Sequence, residues 1–227
     1  VVVLPQLSKH IQSRKKNKIK LIQNKALELS LFLSIPATIA LIIGSEQIVS
    51  ALFGYGSFDE TSVNNSSLAL YYFALGLPAF AFIKVFSSFF FANHDTKTPF
   101  YISLISVLLN IFISLYYFSE VGFIIIPIAT SISSWFNSIL LFIFLKNLNL
   151  FSFNKIFFVN FVKIIIASII MGLLFHFLLN FFQDELVFNH NFKSLYLILS
   201  VILALLFYLF FCYFIKAFKM SDIKLKY

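Results

Sequence analysis

Acidic residues are scarce in this chain, 9 among 227, and charged residues of both signs together make up 11% of it. A soluble domain of ordinary composition carries about a quarter charged residues, so a conventional solvent-facing surface is excluded. There is a single cysteine, Cys212, which rules out an internal disulfide. It lies in the last apolar run, where a small buried hydrophobe is its expected role. The signatures of enzymatic chemistry are missing too: no HExxH, no phosphate-binding glycine loop and no Cys/His metal set. Nor are there paired carboxylates within an apolar run, or a DDxxD-like pair to hold the magnesium of an isoprenoid diphosphate. His94-Asp95 is an isolated pair, read as a loop cap rather than a catalytic dyad. His176, without a carboxylate nearby in sequence, is expected to hydrogen-bond a neighbouring helix. Together these absences favour a chain that moves something over an enzyme that transforms it.

What the chain has in excess is apolar surface. It is 60% hydrophobic with 33 phenylalanines, and its mean hydropathy is +0.95. Roughly 20 apolar residues in a helix cross a bilayer core. Runs of that kind lie at about 27–52, 67–91, 100–118, 123–145, 156–181 and 194–217. They are continuous rather than alternating with period two, which argues against strands. Val1-Val2-Val3-Leu4-Pro5 reads as the tail of an earlier hydrophobic helix, so a longer protein is expected upstream. The expected fold is an all-α polytopic membrane protein: six transmembrane helices plus the end of a preceding one. Its divisions are a basic entry segment (1–25), four helices (26–146), and two further helices with a basic tail (147–227).

The net charge of +8 matters less than where it sits. Lysine and arginine lie beside the apolar spans, which points to a membrane surface and away from nucleic acid. Lys9, Arg14, Lys15, Lys16, Lys18, Lys20 and Lys25 precede the first span. Lys97 follows the second, Lys146 and Lys155 follow the fourth, and Lys216, Lys219, Lys224 and Lys226 follow the sixth. The intervening loops hold Asp59 and Glu60, then Glu120, then Asp184 and Glu185, with Lys193 their one basic residue. Positive loops face the cytoplasm, so the C-terminus of this multi-pass chain is expected there. Residues 8–24 are either an amphipathic helix on the inner leaflet or a solvated linker. Residues 53–59 read as a glycine-assisted turn on the outer side.

Two sets of polar residues stand inside apolar runs. Lys84 is costly there, by a few kcal/mol or more at mid-bilayer. One reading has its ammonium snorkelling to inner-leaflet headgroups; the other has it facing a hydrated cavity that receives an anionic substrate. Pro78, six residues earlier, is expected to kink the middle of this helix. The second set is Asn110 and Ser114, four apart on the third span, with Thr130 four residues after Ile126 on the fourth. Pro127, Ser131, Ser133, Ser134 and Asn137 extend it. Such residues are either packing and hydrogen-bonding glue or the oxygens of a weak monovalent-cation site.

The order of certain motifs is familiar. Gly76-Leu77-Pro78-Ala79-Phe80 is followed by Lys84-Val85, Phe90-Phe91-Ala92 and Asp95-Thr96-Lys97-Thr98-Pro99. With Leu4-Pro5-Gln6-Leu7-Ser8, Ile35-Pro36-Ala37, Leu52-Phe53, Gly56-Ser57-Phe58, Ala129-Thr130-Ser131 and Trp135-Phe136-Asn137, the set resembles the MurJ/MviN family of lipid II flippases over most of residues 4–145. The resemblance implies the C-terminal lobe of a two-lobed inverted-repeat transporter, of the fold also used by multidrug and toxic-compound exporters. It implies a partner, lipid II, a lipid-linked peptidoglycan precursor carried from the inner to the outer leaflet by alternating access. The two last helices would border a groove for its isoprenoid tail. Most cavity arginines would belong to a preceding N-terminal part. Lys84 becomes the residue expected to contact substrate. The resemblance also implies a sodium site at Asn110, the Ile126 carbonyl and Thr130, weakened because Ser114 stands where the family has aspartate; no other cofactor is implied. Rival readings are an exporter of the same superfold for a lipid-linked oligosaccharide or a drug-like cation, and a polyprenyl-handling membrane enzyme.

Overall fold

The computed structural model describes residues 16–217, and the regular structure in them is helical throughout. The elements are α1 (Lys16–Phe53), α2 (Glu60–Ala74), α3 (Leu77–Ala92), α4 (Lys97–Val121), a 3-10 turn (Gly122–Ile124), α5 (Ile125–Asn147), α6 (Lys155–Phe181) and α7 (Lys193–Phe214). The first 15 residues, with Lys9, Arg14 and Lys15 and the leading apolar tail, lie outside the described residues. So do Lys219, Lys224 and Lys226.

Residues 97–147 are apolar enough to pass for one long stretch, but they fold back on themselves. Gly122 takes φ +72, a left-handed value that suits glycine, and ends α4. Asn110 then bonds Thr130, and Asn137 bonds Ser103, so rising positions on one helix meet falling positions on the other. The two helices are therefore an antiparallel pair. With α2 and α3 counted as one interrupted segment, the six apolar runs become α1, α2–α3, α4, α5, α6 and α7.

One expectation is corrected. Pro78 does not kink the middle of a helix: α2 stops at Ala74, and α3 starts afresh at Leu77 with Pro78 in its first turn. A proline costs about 3 kcal/mol inside a helix but nothing at the first helical position, where no N–H partner is needed. A second true bend lies in α1, where Gly44 leaves the helical region (φ −109°, ψ 18°).

Packing divides the described residues into two units, one of residues 16–34 and 75–159, the other of 35–74 and 160–217. In the first, Ala79, Phe86, Phe89 and Phe90 of α3 are buried with Ala129, Leu141 and Leu145 of α5. Phe89 stacks on Phe151 at 5.7 Å, and Phe151 meets Phe153 edge-on at 4.8 Å, so the connection 148–154 is folded into this aromatic core. The start of α1 holds the same connection. Gln23 donates to the Leu150 carbonyl (2.9 Å), Asn24 donates to Ser152 O (3.0 Å), and Asn154 N–H donates back to Asn24 Oδ1 (3.0 Å).

In the second unit, small residues let helices approach closely. A Cβ on Gly172 would lie 2.5 Å from Ile39, and one on Gly44 2.7 Å from the Phe175 ring, so α1 and α6 touch through these glycines. α7 buries Leu197, Ser200, Ala204, Tyr208 and Cys212. Cys212 is free and buried, as its place in the sequence suggested.

Candidate functional site

The break between α2 and α3 belongs to the segment that carries the strongest sequence signature, and α5 stabilises its C-terminal side. Pro78 has no N–H, and the chain before it has left the helix, so carbonyls there need other donors. Trp135 Nε1–H on α5 donates to the Leu75 carbonyl at 3.0 Å, and its ring lies 6.2 Å from that of Phe82. Gly76 is required by proximity: a Cβ there would sit 2.9 Å from Ser131 Oγ and 3.2 Å from Ser131 Cα. The matched residues of α3 and α5 thus form one contact.

Lys84 lies on α3, eight residues before its last residue Ala92, about 12 Å along the axis. Phe86, Phe89 and Phe90 are buried, whereas Lys84 is exposed. Its carbonyl accepts from Ser88 Oγ, and its ammonium has no partner among the described residues. The helix ends in a compact cap: His94 takes φ +61°, and the Asp95 N–H returns to Phe90 O at 3.0 Å. Asp95 Oδ1 accepts the Thr98 N–H at 3.0 Å, which holds its carboxyl below the usual range. His94-Asp95 is therefore a helix-to-helix connection, with Asp95 bonded to backbone and not to the histidine. His176 also departs from expectation: the hydrogen bond it makes is to Asn180 on its own helix (3.2 Å), not to a neighbouring one.

The α4–α5 pair brings Asn110, Ile126 and Thr130 together. Thr130 Oγ1 donates to the Ile126 carbonyl (2.8 Å) and accepts from Asn110 Nδ2 (3.1 Å). The same amide nitrogen reaches Ser133 Oγ at 3.4 Å. Ser114 Oγ and Asn137 Oδ1 are buried and have no partner among the described residues. A sodium ion needs several oxygens turned toward one point, with charge among them or a preformed cage. Here Asn110 turns its nitrogen inward, Thr130 spends its proton and accepts another, and position 114 supplies a hydroxyl. Among the described residues no group of three or more acidic, His or Cys side chains gathers. As arranged, this set does not fit a resident cation. It is a closed hydrogen-bond chain between two helices.

Comparison with known proteins supplies the family. The family described as "Lipid II flippase MurJ" matches residues 1–197. The chain belongs to the MurJ family. It is 38% identical over 136 residues to a probable lipid II flippase MurJ of Rickettsia prowazekii, covering 60% of this chain and 27% of that one. It is 40% identical over 143 residues to one of Rhizobium meliloti, covering 62% and 26%. The chain thus spans about a quarter of the length of these curated MurJ relatives. A solved structure titled "Lipid II flippase MurJ, inward closed conformation" superposes with a TM-score of 0.74 at 25% identity, over 95% of this chain and 42% of that one. Membership of the MurJ family places this chain among polytopic membrane proteins.

Several residues that organise these places do not stand out in the sequence. Gln23 and Asn24 look like members of a solvated basic stretch, yet both are buried and bind the 150–154 connection. Lys193 looks like an exposed loop cation. It is 1% exposed, its ammonium 2.6 Å from both Gly54 O and Phe188 O and over the faces of Tyr55 and Phe188. The only clue was its position at the start of an apolar run.

Proposed function

We propose that this chain forms the C-terminal part of a transporter that carries lipid II from the inner to the outer leaflet of a bacterial cytoplasmic membrane. The observation that carries the reading is the family match over residues 1–197. The helix arrangement shared with a solved lipid II flippase supports it. On this reading the diphosphate and sugars of the substrate pass through a hydrated path, and the isoprenoid tail stays in lipid. Lys84 is our candidate contact for the diphosphate: an exposed ammonium without a partner among the described residues, on a helix whose start is fixed by Trp135. A desolvated ammonium beside a diphosphate gains a charge-assisted hydrogen bond, which offsets the cost of holding it in an apolar span.

The orientation we propose puts Lys97, Lys146, Lys155 and Lys216 in the cytoplasm. Alternating access at this position requires helices that can change their mutual packing. The break at Leu75–Gly76 and the bend at Gly44 are the places in the described residues where a helix is already interrupted. The test is depletion of the full-length protein in its own host, followed by measurement of lipid II accessible at the outer leaflet. Accumulation of lipid II inside, with exposure falling several-fold, is expected. Undiminished exposure would overturn the assignment and leave an exporter of another lipid-linked substrate.

A further inference from the structure

Apart from Lys84 and the α4–α5 seam, the second unit has a cavity of about 610 Å³ at its acidic loop end. Glu46, Gln47 and Ser50 of α1 and Glu60, Thr61 and Asn64 of α2 supply its polar wall. Val63, Leu186 and Phe188 supply an apolar one. Two carboxylates face this space, and neither Glu46 nor Glu60 has an ion-pair or hydrogen-bond partner among the described residues. The nearby cation, Lys193, cannot neutralise them while its ammonium is buried and committed to two carbonyls and two rings. A second observation is independent of charge. Ser50 lines the cavity, is 6% exposed, and its buried Oγ has no partner among the described residues. Native structures rarely leave such a hydroxyl unsatisfied unless something else meets it.

We propose that this cavity binds an organic cation bearing primary ammonium groups. Glu46 and Glu60 take the ammonium charge, the hydroxyl of Ser50 and the amides of Gln47 and Asn64 complete its hydrogen bonds, and Val63, Leu186 and Phe188 cover its methylenes. The size of the space separates this from other ligands. At about 30 Å³ per water it holds on the order of twenty solvent molecules, far more than a bare metal ion fills. The described residues also lack the third acidic or imidazole ligand that a multivalent ion would use. An anion would meet two carboxylates and no available lysine. A ligand of several methylenes with terminal ammoniums uses every wall, and its volume falls in the range typical of small-molecule sites.

Such ammoniums have two sources, soluble polyamines and the headgroup of phosphatidylethanolamine, and the test separates them. Full-length protein is placed in nanodiscs of phosphatidylcholine alone, and spermidine is titrated by calorimetry. Saturable one-site binding is expected, weakened at least tenfold in the Glu46→Gln/Glu60→Gln double variant and a few-fold in Ser50→Ala. Glu120→Gln, the same charge change at a distant loop, should leave it as it was. In nanodiscs containing phosphatidylethanolamine, loss of the spermidine signal assigns the site to the lipid headgroup, and an unchanged signal assigns it to the soluble amine. The proposal fails if spermidine shows no saturable binding in phosphatidylcholine. It also fails if the double variant binds as the parent does, or if magnesium displaces spermidine at equal concentration.

Discussion

Ser114 decides what the α4–α5 seam can hold. Its hydroxyl is buried one turn from Asn110 and has no partner among the described residues, while Asn110, Thr130 and the Ile126 carbonyl satisfy one another. Placing a carboxylate there without a counter-ion would bury an unpaired charge, which costs several kcal/mol. A monovalent cation would relieve that cost by drawing in the Asn110 oxygen and the Thr130 hydroxyl. Ser114→Asp is therefore expected to lower the melting temperature in potassium and recover it in sodium, while the parent melts alike in both. Equal melting of the variant in the two salts would show that the three ligands do not converge on position 114. Lys84 poses the second residue-scale question, since snorkelling and substrate contact both use its exposure. Lys84→Met is expected to cut lipid II exposure per molecule by tenfold or more, and Lys84→Arg to keep most of it. If Lys84→Met lowers only the amount of protein in the membrane and not the rate per molecule, the lysine anchors the helix and does not meet substrate.

At the scale of elements, the connections are tighter than the sequence suggests. Asp95 accepts the Thr98 N–H at the start of α4 and is held below its ordinary 3.8 mainly by that bond. A carboxyl depressed by folding adds stability that is complete above the unfolded value and is lost as pH falls through the folded one. The contribution should therefore hold at neutral pH and fade below about pH 4. Asp95→Ala is expected to cost about 1 kcal/mol at pH 7, the usual worth of a side-chain cap, and much less at pH 3; thermal melts at the two pH values check it, and an equal cost at both refutes the cap. At the other end of α3, Gly76→Ala forces a methyl against Ser131 Cα at 3.2 Å, a backbone-side contact that a rotamer change cannot clear. It should separate α3 from α5 and lengthen the Trp135–Leu75 bond, seen as a red shift of the emission of the chain's one tryptophan. Unchanged emission would mean that the break is held without Trp135. Six apolar runs were legible because about 20 apolar residues in a row are a one-dimensional signal. The break at Leu75–Gly76 was not, because a proline is compatible with a kink inside a helix as well as with a start. Nor was the burial of Asn24, whose partner Ser152 lies 128 positions away.

For the whole molecule, the orientation we propose rests on the alternation of charge, and the burial of one lysine removes its irregularity. Lys193 is the single basic residue in the loops read as external, and its ammonium is caged by Gly54 O, Phe188 O and two rings, so it presents no free charge at that surface. The exposed charge in those loops is then acidic: Asp59, Glu60, Glu120 and Asp184. Lys97 and Lys146, at the opposite ends of the same helices, are exposed. A lone buried cysteine makes the orientation simple to test. In a full-length background with Cys212 and every cysteine outside this sequence changed to alanine, Ser57→Cys and Asn147→Cys each place one exposed thiol, the first between α1 and α2 and the second at the end of α5. A membrane-impermeant maleimide applied to spheroplasts is expected to label Ser57→Cys at once, and Asn147→Cys only after permeabilisation. The reverse pattern would invert the chain. It would put the acidic cavity of Glu46 and Glu60 in the cytoplasm and Lys84 nearer the outer leaflet, where an ammonium could meet the diphosphate only after the substrate had crossed.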